Sequence, residues 1–83
     1  MLLLDAPDLT KKQARFVCEL ALYQAEHGYP PSLRELSRKL NLKNVNAAVG
    51  YRDRLVRKGW VTVCPKQGRT LRLVKPLRWR EVE

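Results

Sequence analysis

Residues 43–80 carry eleven Lys and Arg side chains and a single carboxylate, Asp53. That span sums to +10 in a chain of net +9, so the remainder is close to neutral. Positive charge gathered in one half of a small chain is the footprint of a surface that meets a polyanion, most commonly nucleic acid. Other chemistry has little support. Cys18 and Cys64 have neither CxxC spacing nor a neighbouring His, so two buried, reduced thiols in a cytoplasmic protein are expected. His27 stands alone where a helix pattern ends, a place that favours a cation. Ser32 and Ser37 read as a helix cap and an ordinary helix position. Paired carboxylates, a metal-ligand set and a Gly-rich phosphate loop are all missing, so no catalytic residue, metal or cofactor is expected.

The elements that position the basic half follow from capping signals and hydrophobic period. Thr10 opens TKKQ, in which the threonine oxygen can accept from a first-turn amide while Gln13 reaches back. A helix is expected from there to about His27, striped by Phe16, Val17, Leu20 and Ala21 and stopped by Gly28. Tyr29, Pro30 and Pro31 hold the chain extended, because a residue before proline is pushed out of the helical region. SLRE at residues 32–35 repeats the capping pattern for a short second helix with Leu33, Leu36 and Leu40 on one stripe. Asn41, Leu42 and Lys43 make the turn, with Leu42 expected to plug the angle between helices. Asn44 then caps a third helix running to Lys58 and closed by Gly59. Two short helices joined by a tight turn, the second rich in arginine, are the plan of a helix-turn-helix reader of duplex DNA.

On a wheel of 3.6 residues per turn, Ala48, Tyr51 and Leu55 share the core face of that third helix. Asn46, Val49, Gly50, Asp53 and Arg57 share the opposite face. A mid-helix glycine costs about 1 kcal/mol relative to alanine, so outward Val49 and Gly50 suit close approach to another surface better than plain solvation. Asp53, four residues before Arg57, suits a helix-surface ion pair, with cytosine readout the other role open to it. Residues 60–64 and 70–74 are strand-forming runs on either side of the turn residues 65–69. A hairpin is expected there, covering the helices and carrying Lys66 and Arg69 at its tip. The fold class is therefore mainly α with a small β-hairpin: a winged helix-turn-helix of three helices plus a two-stranded wing. At 83 residues a single domain is expected, with its core over about 9–74 and a tail over 75–83 whose order no period fixes. The apolar start, residues 1–4, is broken by Asp5 and Pro7 and is too short for a signal peptide or membrane span.

Five strings in this order, LTKKQ from Leu9, GYPPSLRELSRKL from Gly28, NAA from Asn46, RKG from Arg57 and GRTLRL from Gly68, resemble the N-terminal winged-helix domain of the LexA repressor family. The resemblance covers residues 9–74. It implies base contact by the front of the third helix, at Asn44, Asn46, Ala47, Val49 and Gly50. Chemistry agrees at Asn46, whose amide can donate to N7 of adenine and accept from its N6 amine, and Ala47 can offer a methyl to thymine. The family usually has acidic side chains where this chain has Val49 and Gly50, and an apolar one where it has Arg52, so an operator unlike the usual one is expected. Phosphate anchoring is expected from Ser32, Arg34, Arg52, Arg54, Lys66 and Arg69, with Lys58 a further candidate. Most of the family carries a following self-cleaving serine-lysine protease domain that also forms the dimer. With the sequence ending at Glu83, regulation by self-cleavage is not expected.

The expected function is thus sequence-specific binding of double-stranded DNA in transcription control, most simply as a repressor, without enzymatic activity. The alternative is a winged-helix protein-interaction module within a larger assembly. RNA is disfavoured, because the strands lack exposed stacking aromatics. One reading helix covers few base pairs, so a homodimer forming mainly on DNA is expected. Leu2, Leu3, Leu4, Leu77 and Trp79 are the apolar residues left to pair two copies.

Overall fold

A computed structural model describes residues 2–63 and 71–82. The elements run β1 (Leu2–Leu4), α1 (Lys11–His27), α2 (Leu33–Lys39), α3 (Val45–Arg57), β2 (Val61–Val63), β3 (Leu71–Leu73) and β4 (Trp79–Glu81). Each helix starts where a short polar side chain satisfies a first-turn amide. At α1, Thr10 Oγ1 accepts from the Gln13 N–H at 3.1 Å and Gln13 Oε1 accepts from the Thr10 N–H at 3.2 Å, a complete capping box. Gly28, at φ 77°, ends α1 in the left-handed region that glycine tolerates. At α2, Ser32 Oγ accepts from the Glu35 N–H at 3.2 Å, and the reciprocal bond runs between side chains, from the Ser32 hydroxyl to Glu35 Oε1 at 3.1 Å. Asn44 Oδ1 caps α3 through the Ala47 N–H at 3.2 Å.

The turn between α2 and α3 is locked from inside. Asn41 takes the left-handed conformation at φ 55°, which asparagine adopts more readily than most residues. The Leu42 N–H donates to the Ser37 carbonyl at 2.9 Å. Ser37 is buried, and its hydroxyl donates to the Asn44 carbonyl at 3.2 Å. What reads in the sequence as an ordinary helix position therefore ties α2 to the cap of α3.

Around this turn the core gathers Phe16, Val17 and Leu20 from α1, Leu36 and Leu40 from α2 and its cap, and Ala48 and Leu55 from α3. Trp60, Val61 and Leu71 close it from the wing, and Leu42 and Tyr51 pack on its margin. Each large apolar side chain taken fully from water contributes about 1.5–3 kcal/mol. In the wing, β2 and β3 pair antiparallel with Val61 opposite Leu73, Thr62 opposite Arg72 and Val63 opposite Leu71. The two-residue period turns both valines inward and leaves Thr62 and Arg72 in solvent. Cys64 and the expected tip residues Lys66 and Arg69 lie outside the described residues.

The tail has an order that the sequence did not show. β4 pairs antiparallel with β1, placing Leu2 opposite Glu81, Leu3 opposite Arg80 and Leu4 opposite Trp79, and the Asp5 N–H extends the ladder to the Arg78 carbonyl at 2.7 Å. Leu4 and Leu77 pack against the core, and Ala6 belongs to it. The two segments expected to join separate copies thus join one another. Among the described residues, no helix is long and apolar enough to cross a membrane.

Candidate nucleic-acid interface

The rotation of α3 is fixed by what it buries. Ala48 and Leu55 are sealed in the core, and Tyr51 stacks on Phe16 with ring centroids 5.8 Å apart. Asn46, Gly50, Asp53 and Arg57 are consequently exposed, with Val49 half-buried beside them. A Cβ built at Gly50 would meet nothing within 4 Å, so nothing inside the protein requires glycine there. At the front of the helix, the Asn44 oxygen is held by its cap, which leaves the amide NH₂ to reach outward. Ala47 is half-buried.

Ser32, Arg34 and Arg52 converge on one cleft, which Pro31, Leu33, Val45 and Leu71 complete. The start of α2 and the body of α3 therefore present three of the expected phosphate ligands together, beside the base of the wing. Arg54 is exposed on the other flank of α3, since two residues advance a helix by about 200°. The pair straddles the outward face. Sequence reasoning passed over Val45, which follows Asn44 directly and lines the same cleft, and Arg72, whose outward direction the alternation of β3 already implies.

Two expectations about charge are corrected. Asp53 pairs with its neighbour Arg52 rather than with Arg57: Arg52 Nε and Nη2 each donate to Asp53 Oδ1 at 3.1 Å. The long arm of Arg52 swings from the flank of α3 onto its exposed face, and two N–H groups converge on one oxygen. Lys58 is engaged within the fold, its ammonium donating to the Asp8 carbonyl and to Gln13 Oε1, the latter at 2.9 Å. It is not directed to the cleft.

Asp8 anchors a second polar cluster. Its Oδ2 accepts from Trp60 Nε1 at 2.9 Å, and Lys75 Nζ lies 4.9 Å from the Trp60 ring centroid. The indole hydrogen bond holds the Asp8 carboxyl below its ordinary range against desolvation, with smaller help from its own backbone amide, Lys75 and Lys58. Cys18 is free and only half-buried, and burial followed by the charge of Glu19 pushes its thiol up. His27 sits at the end of α1, 3.9 Å from Glu26 and with its ring centroid 4.1 Å from that of Tyr23. Among the described residues there is no group of three or more His, Cys, Asp or Glu placed to hold a metal.

A helix pair locked at a tight turn, a third helix with an outward face the core does not use, and an antiparallel wing define a winged helix-turn-helix protein. The model of the LexA DNA binding domain matches residues 6–70, and the chain belongs to that family. It is 35% identical over 68 residues to the LexA repressor of Cellvibrio japonicus, covering 82% of this chain and 34% of that protein. The LexA repressor of Desulfatibacillum aliphaticivorans matches at the same identity and coverage. LexA repressor 2 of Pseudomonas putida is 36% identical over 58 residues, 70% of this chain and 29% of the relative. The chain spans about a third of the length of these relatives.

Proposed function

We propose that the chain binds double-stranded DNA sequence-specifically and represses transcription by occupying a site that polymerase needs. It acts by binding alone, without cofactor or catalysis, on DNA in the cytoplasm. The observation that carries this reading is the outward face of α3, which the fold does not require and which Arg52 and Arg54 flank, with Ser32 and Arg34 beside Arg52. Asn46 reads adenine, Ala47 meets a thymine methyl, and Val49 and Gly50 allow the helix backbone close to the base edges, with Asn44 at the entrance. Arg34, Arg52 and Arg54 take phosphates, Ser32 adds a neutral contact, and Lys66 and Arg69 extend the grip from the wing. Because one α3 spans few base pairs, two copies occupy an operator of two half-sites.

The test is titration of random-sequence duplex over a range of salt. Each neutralised phosphate contributes about −0.9 to the log-log slope, so four or five contacts give about −3.6 to −4.5, according to whether Arg52, held by Asp53, is free to join. Between about 50 and 200 mM salt, affinity should fall roughly a hundred- to five-hundredfold. A flat response would remove the DNA reading and favour a protein-interaction module. Selection from a random duplex pool then gives the operator and its symmetry.

A further inference from the structure

Asp53 is the one carboxylate in residues 43–80. It stands on the outward face of α3 with its side chain 54% exposed, where an approaching duplex brings phosphate charge and base acceptors that repel it and only the amines of cytosine and adenine as donors. Among the described residues its hydrogen bonds come from Arg52, two of whose N–H groups meet one of its oxygens at 3.1 Å. Arg52 in turn is 28% exposed and belongs to the cleft that holds Ser32 and Arg34. Two guanidinium N–H groups converging on one anionic oxygen make a contact that a phosphate oxygen can accept in the same way. We infer that Asp53 is a built-in anionic competitor that occupies Arg52 and withholds one phosphate contact from duplex of arbitrary sequence. The inference rests on the DNA reading of α3 given above. Its consequence is that a small chain of net +9 grips bulk DNA less tightly than its arginines alone would dictate.

The pair also carries no net charge, so removing the carboxylate restores one cation to the interface. The experiment compares four versions of the 83-residue chain, unaltered, Asp53→Asn, Arg52→Gln and the double variant, by fluorescence anisotropy on a 20-base-pair random-sequence duplex (a length of about two helical turns). Thermal melts of all four confirm that each is folded. Asp53→Asn should bind roughly fivefold more tightly near physiological salt and steepen the log-log slope by about 0.9. In the Arg52→Gln background the same substitution should give little gain, because no guanidinium is left to release. An equal gain in both backgrounds would overturn the inference, since the carboxylate would then act only through general repulsion. Weaker binding by Asp53→Asn would also overturn it and make Asp53 a reader of base amines. Absence of salt-dependent binding by any of the four proteins would overturn both this inference and the reading it rests on, which distinguishes the two failures.

Discussion

Asp8→Ala tests whether the start of α1 is fastened to the wing by one carboxylate. Trp60 is 5% exposed, and its indole N–H donates to Asp8 Oδ2 at 2.9 Å. Removing the acceptor leaves a donor on a buried ring without a partner, which costs about 1–3 kcal/mol in general. Water reaches the exposed Asp8 side and can replace part of the bond, so the lower end, about 1–1.5 kcal/mol, is expected here. For a chain of this length that is a fall in Tm of about 5 to 10 °C. The pH dependence has a definite sign. The Asp8 carboxyl titrates lower in the folded chain than in the unfolded one, so its contribution is fully present above the ordinary aspartate value of about 3.9 and is lost as pH falls through the folded value below it. Thermal unfolding followed by circular dichroism should therefore show the full gap between the two proteins at about pH 7 and a smaller one at about pH 2, where the neutral carboxyl keeps only its weaker acceptor oxygen. A gap of equal size at both pH values would refute the reasoning, as would no loss at neutral pH.

Asn46→Ala should cost about 1–3 kcal/mol on the selected operator and relax preference at one base pair, and an unchanged selection profile would remove Asn46 from the readers. Deleting residues 1–8 removes β1, the Ala6 core contact and the Asp8 anchor, so urea melts should show a loss of more than about 2 kcal/mol. Trp79→Ala, at a ring 51% exposed, should cost less than about 1 kcal/mol; weaker cooperative DNA binding at unchanged stability would instead return the ends to a role between copies. Ser37→Ala removes one donor from the Asn44 carbonyl, which keeps the Ala47 N–H at 3.3 Å, and should cost about 0.5–1.5 kcal/mol in the same melts, a neutral result showing that the turn does not depend on it. The Cys18 thiol should react slowly with a disulfide reagent at neutral pH and faster as pH rises, because burial and Glu19 keep it protonated, and prompt neutral labelling would contradict this.

The helices were legible because their boundary signals are local. Thr10 and Gln13 face each other across one turn, Asn44 meets the Ala47 amide, and Gly28 and Gly59 both take positive φ where the pattern stops. The outward face of α3 could be read for the same reason: Ala48 and Leu55 mark the buried side by spacing alone. Charge was harder to place, because a sequence gives a lysine no direction. Lys58 resembled a phosphate ligand until its partner proved to be Asp8, fifty residues away. Asp53 followed the reach of its neighbour's side chain and not the helical repeat. The cleft joining Ser32, Arg34 and Arg52 also needs Val45 and Leu71, so it exists only once α2, α3 and the wing have met. β1 and β4 were invisible because each has three residues, too few to show a period, and each finds its partner at the far end of the chain.

That last pairing bears on the order in which the protein folds. Leu2 meets Glu81 across nearly the whole chain, and closing a loop of that size costs about 4 kcal/mol in the logarithmic term alone. The contacts that lock α2 to α3 are between near neighbours: Leu42 with Ser37, and Ser37 with Asn44. The helical reading unit should therefore form early, with the β1–β4 ribbon closing around it afterwards. In the native protein the ribbon, three residues a side at the chain ends, should also be the element that opens alone. Amides of β1 and β4 should exchange with solvent deuterium well before those of Leu36 and Leu55, so the chain ends can separate while α3 keeps its shape.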